Sequence, residues 1–236
     1  MPEFKDDHEG ICQGCAKGKH TRGPFPSSVT KTTDILHLIH YDLSGMLIHS
    51  DLSGMLIHYI TFTDDFFCKT WIYFLKKKDE AFKWFRTFKA LVENQTGNKI
   101  KILRTNSGTK YESNEFNDFC SEAGIKRETT TVYTPEQNGV AERKNRTIVE
   151  AARTMLCGQG LPKFLWGEAM NTTVYVQNRC PHSTLDSKTP EEVFSDKKPD
   201  VSHFRVFGCP VYFHVPKEKR SKLDASRKKG MFVGYS

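Results

Sequence analysis

One acidic side chain stands among several basic ones in a segment suited to phosphodiester chemistry. Glu142 follows a glycine-containing loop and opens a stretch with helical spacing, and close to it are Arg143, Lys144 and Arg146. Chemistry on a phosphodiester requires carboxylates that hold divalent metal ions, and cations that fix the phosphate backbone. The same alternation of charge is also typical of a solvated helix face. The segment alone leaves both interpretations open.

A pair of cysteines near the start of the chain has the spacing of half a zinc site, because zinc is commonly held by cysteines two residues apart. These are Cys12 and Cys15, and the nearby His8 and His20 do not match the spacing of a zinc module. The alternative is a loop with two reduced thiols. The seven cysteines are odd in number and scattered, so no disulfide framework is expected and a reducing, intracellular setting fits better.

Hydrophobic periodicity predicts the elements that would position Glu142. Residues 35–42 alternate as a strand does, and residues 59–63 and 70–75 are two further strand candidates. Three strands in succession predict an antiparallel meander. Helical spacing follows from Asp79 to about Gln95, and Gly97 is predicted to end that helix.

Further elements alternate in type along the rest of the chain. We predict a strand at 100–103, a small helix between Ser113 and Gly124, a strand at 126–132, and helices from Pro135 and from Pro162. This order implies a mixed sheet covered by helices. After Val201 come short β-like segments with a basic run, 217–229, between them; the run is either a phosphate contact or a solvated loop.

The composition is that of a globular protein with an anionic partner. Among 236 residues, 37% are hydrophobic, and 35 Lys and Arg outnumber 28 Asp and Glu to give a formal charge of +7. Nucleic acid is the commonest partner for such a charge. No run of about 18 apolar residues exists, so no membrane span is expected.

A nine-residue duplication creates two candidates for a further acid. Residues 42–50 are repeated almost unchanged as residues 51–59, so Asp42 and Asp51 occupy equivalent places at the ends of similar apolar stretches. A period that occurs only twice does not indicate a solenoid.

Many segments resemble the integrase core of copia-type retrotransposons, part of the Pol polyprotein. They include HYDLSG, RTNSGTKY, YTPEQNGVAERKNRT, LPKFLWGEAMNTTVYVQNR and KTPEEVF. The resemblance implies an α/β, ribonuclease H-like mixed sheet with flanking helices. It also implies an Asp-Asp-Glu triad that binds Mg²⁺ or Mn²⁺, cuts DNA ends and joins them to target DNA.

Carried over residue by residue, the triad falls on Asp42, Asn106 and Glu142. We favour Asp42 over Asp51 because its distance to the next strand is close to the family's. The 35 residues between Asn106 and Glu142 match the family's spacing, but Asn106 is an amide where the family has a carboxylate. Lys110 adds a positive charge where the family has Glu. The resemblance thus predicts three residues clustered at one sheet edge, metal held by Asp42 and Glu142 alone, and an inactive copy.

The resemblance also predicts the organisation and partners of the chain. Residues 1–22 would be the remnant of a zinc-binding module that uses Cys12 and Cys15, residues 23–198 the catalytic core, and residues 199–236 a truncated SH3-like β module. DNA is the expected partner, bound through Arg143, Lys144 and Arg146. The protein would be nuclear when it acts on DNA, and a homo-oligomer is possible. Two alternatives are a non-catalytic nucleic-acid-binding relic and a domesticated protein-interaction fragment.

Overall fold

The predicted meander is confirmed by the computed structural model, which describes residues 32–44, 58–105, 114–129 and 139–235. Its antiparallel strands are β1 (Leu38–Ser44), β2 (His58–Asp64) and β3 (Thr70–Leu75). β1 begins three residues later than predicted, because Leu36 is in the left-handed region with φ of 58°. Its backbone amide donates to Asp64 Oδ2 at 2.9 Å instead of joining a strand ladder.

Two parallel strands complete a mixed sheet, as predicted. They are β4 (Ile102–Thr105) and β5 (Lys126–Thr129), and the five strands lie in the order β3-β2-β1-β4-β5. β4 pairs with β1 from Leu38 opposite Ile102 to His40 opposite Arg104. β1 is therefore the central strand, with an antiparallel neighbour on one side and a parallel one on the other.

Two helices cover one face of the sheet around an aromatic core. They are α1 (Ala81–Thr96), which ends at the left-handed Gly97 as predicted, and α2 (Asn114–Glu122). Phe62 stacks on Phe88 with ring centroids 4.3 Å apart, and Phe85 contacts Phe116. Burial of these large side chains supplies much of the driving force for folding.

The other face is covered by two longer helices, α3 (Gly139–Gly158) and α4 (Trp166–Asn178). Ile148 of α3 and Val174 of α4 pack with Tyr59 of β2 in a second core. A fifth, short helix, α5 (Pro190–Ser195), packs on the first, aromatic core and was not predicted, although Thr189 caps it and Pro190 opens it. No helix within the described ranges is both long and apolar enough to cross a membrane.

The final segment forms a separate two-stranded antiparallel sheet, β6 (Pro210–His214) and β7 (Arg227–Met231). The basic run at residues 217–229 was predicted to lie between two β-like segments, and its last three residues, 227–229, belong to β7. The segment packs on α4, where Tyr235 stacks on Tyr175 with centroids 4.3 Å apart. Gly234, with φ of 143°, approaches Thr172 so closely that a Cβ would lie 2.8 Å from its hydroxyl.

Candidate active site

Asp42 of β1 is held in place by a side chain from α3. Asn145 Nδ2 donates to Asp42 Oδ2 at 2.6 Å, and Asn145 Oδ1 accepts from Thr61 Oγ1 of β2 at 2.9 Å. Asn145 is 6% exposed, whereas Asp42 is half-buried and so remains accessible to a ligand. One amide therefore ties the helix to two strands and fixes the orientation of the carboxylate.

Glu142 lies in the first turn of α3 and shares the environment of Asp42. Burial raises the pKa of Asp42, the Asn145 hydrogen bond opposes that rise, and the negative charge of Glu142 adds to it. Two carboxylates within electrostatic reach disfavour each other's ionised form unless a cation lies between them. Glu142 therefore lies within electrostatic reach of Asp42.

This pair offers hard, anionic oxygens of the kind that Mg²⁺ and Mn²⁺ prefer. Among the described residues, no group of three or more His, Cys, Asp or Glu could hold a metal ion. The predictions for Asn106, Lys110, Asp51, Cys12 and Cys15 concern positions outside the described residues.

The three basic residues next to Glu142 do not share one surface. Arg143 and Arg146 are exposed, one helical turn apart, whereas Lys144 is half-buried. Burial lowers the pKa of Lys144, and the neighbouring thiol of Cys68 opposes this effect. Arg143 and Arg146 are therefore on the exposed side of α3, and Lys144 faces the β2–β3 turn.

Asp64 and Asp65 have structural partners, which are backbone amides for Asp64 and the side chains of His40 and Thr32 for Asp65. Asp64 is fully buried and accepts hydrogen bonds from the amides of Leu36, Phe66 and Phe67. Burial raises its pKa to about 6 against the effect of those amides. Asp65 is also buried, but hydrogen bonds from His40 and Thr32 outweigh that burial and lower its pKa to about 2.

Sequence reasoning missed Asn145 and Thr61. A local signal for Asn145 existed, because it lies three residues after Glu142 and so on the same helix face. No such signal existed for Thr61, whose part depends on the antiparallel register that places it opposite Asp42.

Two protein families match the chain. The family described as integrase core domain matches residues 33–135, and the family described as retroviral polymerase SH3-like domain matches residues 209–236. The first match includes Asp42 and Asn106, and the second includes both strands of the small sheet.

Curated relatives extend the similarity over most of the chain. The Retrovirus-related Pol polyprotein from transposon TNT 1-94 of Nicotiana tabacum is 45% identical over 224 residues, covering 95% of this chain and 17% of the relative. The corresponding polyprotein from transposon RE2 of Arabidopsis thaliana is 32% identical over 237 residues, covering 100% of this chain and 16% of the relative. The chain thus spans about a sixth of the length of these relatives.

A solved structure shows the same fold. A chain of the simian T-cell lymphotropic virus intasome, solved in complex with PP2A regulatory subunit B56 gamma, matches with a TM-score of 0.63 and 17% identity. The match covers 93% of this chain and 76% of that one. The five-stranded mixed sheet with flanking helices is the ribonuclease H-like architecture that the sequence predicted, followed by an SH3-like segment.

Proposed function

We propose that this chain, an integrase core domain homologous to those of retrotransposon and retroviral integrases, descends from a DNA strand transferase and is itself inactive. The observation that carries the proposal is the pair formed by Asp42 and Glu142, which is built and oriented but has an amide, Asn106, at the third position of the family's triad. The described strands and helix place Asp42 and Glu142, and the departure from the family's triad is the missing negative charge at position 106.

The charge of the site decides which metal it can hold. Asp42 and Glu142 would hold one Mg²⁺ or Mn²⁺ ion, which supplies charge neutralisation at a phosphate when bound. Asn106 contributes a neutral carbonyl oxygen in place of an anionic one, and Lys110 places a positive charge nearby in sequence. In-line phosphoryl transfer in this class uses two metals, one for each of the attacking and leaving oxygens. Two carboxylates are too few for that arrangement.

Within this site the residues of the chain have separate tasks. Asn145 orients Asp42 through its 2.6 Å hydrogen bond and keeps α3 in register with the sheet. Glu142 presents a second carboxylate from the same helix, on the side where Arg143 and Arg146 are exposed. These arginines would hold a phosphate backbone, since Arg binds phosphate through paired N–H groups.

A second candidate function is non-catalytic nucleic-acid binding, which the exposed Arg143 and Arg146 and the charge of +7 favour. Such binding would be weak, independent of sequence and steeply dependent on salt. It would take place inside the cell, in the nucleus when the partner is chromosomal DNA. A fragment that binds only proteins would show no affinity for DNA at low salt.

A strand-transfer assay tests the proposal. Mn²⁺ is the more permissive metal, so the unaltered chain is assayed with Mn²⁺ beside the Asn106→Asp variant, using a labelled DNA end and a plasmid target. We expect no joined product from the unaltered chain. Robust joining that Glu142→Gln abolishes would contradict the proposal.

A further inference from the structure

We propose that the turn between β3 and α1 is a second DNA contact, in which Lys76 and Lys77 bind the phosphate backbone of a duplex that leaves the active site. The inference rests on the proposed function and extends it to a surface about five base pairs away. Three observations carry it: the position of the turn, its construction and its charge.

The position follows from the register of the sheet. Asp42 pairs with Thr61, which pairs with Ile72, and Lys76 comes four residues after Ile72. Neighbouring strands are about 4.8 Å apart and residues rise about 3.3 Å along a strand, so the Cα atoms of Asp42 and Lys76 are roughly 16 Å apart. Thr61 and Ile72 lie near the middle of β2 and β3, so the turn lies beyond the C-terminal end of β3, four residues along the chain from the level of Asp42.

The construction of the turn presents the lysines from a fixed backbone. Glu80 Oε2 accepts from the amide of Lys76 at 2.8 Å and from that of Lys77 at 3.2 Å. These hydrogen bonds lower the pKa of Glu80, so its carboxylate is ionised at neutral pH and engaged with the backbone. Both lysine side chains are exposed.

The charge of the turn is positive and suits an anionic backbone. Lys76, Lys77 and Lys83 are exposed and Lys78 is half-buried. The turn and the start of α1 therefore carry four lysines and only two acids, Asp79 and Glu80. Burial and the charge of Lys78 lower the pKa of His58, the nearest residue of β2, so His58 adds no charge at neutral pH. Duplex DNA, with one negative charge per about 1.7 Å of its axis, is the complementary partner.

The distance sets where the contact falls on DNA. Phosphates along one strand advance about 3.4 Å per nucleotide, so roughly 16 Å corresponds to about five base pairs from the phosphate at Asp42. Arg143 and Arg146 would hold the backbone next to the site, and the lysine turn would hold it further along. Together they would set the path of the duplex.

The test is the salt dependence of DNA binding by the full chain. Each lost phosphate contact reduces the slope of log K against log salt by about 0.9, so Lys76→Gln/Lys77→Gln should reduce it by about 1.8. The matched control is Lys197→Gln/Lys198→Gln, an exposed lysine pair that follows α5. α5 is joined through the Glu191–Lys69 ion pair to the start of β3, the end opposite the turn. Binding of a labelled 20-base-pair duplex is measured by fluorescence anisotropy, after unfolding curves confirm that both variants fold.

A reduced slope for the Lys76/Lys77 variant together with an unchanged slope for the control supports the proposal. If the unaltered chain binds DNA but the Lys76/Lys77 variant keeps its slope, or both variants lose slope equally, the lysine turn is not a specific contact. Absence of any binding by the unaltered chain at low salt overturns both this proposal and the proposed nucleic-acid function. The two failures are thus distinguishable.

Discussion

Replacing Asn145 with Ala removes a side chain that joins α3 to both β1 and β2 at the candidate site. The change deletes the donor to Asp42 and the acceptor for Thr61, at a position that is only 6% exposed. A hydrogen bond to a charged group contributes about 1.5–3 kcal/mol and a neutral one about 1 kcal/mol. Because Asp42 is half-buried and water replaces part of the lost interaction, we expect a loss of about 2–3 kcal/mol.

The size of this loss depends on pH. The pKa of Asp42 is above its ordinary value of 3.8 in the folded protein, so the unfavourable contribution of Asp42 to stability is absent below pH 3.8 and grows as pH rises through the folded pKa. Without the Asn145 donor the pKa should rise further. The variant should therefore be most destabilised at neutral pH and closest to the unaltered chain in acid.

Urea unfolding followed by circular dichroism measures the effect at pH 7 and in acid. The matched control is Asn171→Ala, the same substitution at an exposed position of α4, for which a change within about 0.5 kcal/mol is expected. Equal effects of the two substitutions at pH 7 would show that the Asn145 bridge contributes nothing to stability.

Two further predictions concern buried polar groups. Asn178 donates to the carbonyl of Thr70 at 2.8 Å and accepts from the amide of Thr70 at 3.0 Å. Asn178→Leu should therefore lower the free energy of unfolding in urea by about 2–4 kcal/mol. A loss below about 0.5 kcal/mol would contradict this expectation. Because the pKa of Asp64 is raised to about 6, its contribution to stability is present below pH 3.8 and is lost as pH rises through 6. We expect this loss of about 3 kcal/mol in the free energy of unfolding to disappear in Asp64→Asn. If the free energy of unfolding of the unaltered chain does not change with pH, the three amides that donate to Asp64 keep its carboxylate ionised in acid.

The sheet could be predicted well where one face is buried, and poorly where it is not. β3 has the bounds that its short apolar run predicted, because both of its faces pack against helices and a strand buried on both faces is apolar throughout. β7 was missed at its start, since Arg227, Lys228 and Lys229 are exposed and a strand without a buried face has no hydrophobic alternation. β1 was predicted to begin too early because a distant carboxylate, Asp64, takes the amide of Leu36.

Sequence motifs named the candidate residues of the site, but they did not name the side chains that hold those residues in place. Asp42 and Glu142 could be named from motifs, but their closeness depends on α3 packing across β1. The role of Asn145 requires two partners that are 103 and 84 residues away, which no local pattern contains. The separation of Lys144 from Arg143 and Arg146 follows from the rotation of α3 against the sheet, and that rotation is a property of packing.

The central claim is that the site has too little negative charge to hold a pair of metal ions. Electron paramagnetic resonance of Mn²⁺, titrated into the full chain at pH 7, counts bound ions directly because free Mn²⁺ gives a strong signal that is lost on binding. We predict at most one weakly bound ion per chain, absent in Asp42→Asn, and tighter binding in Asn106→Asp. Two tightly bound ions in the unaltered chain would contradict the account.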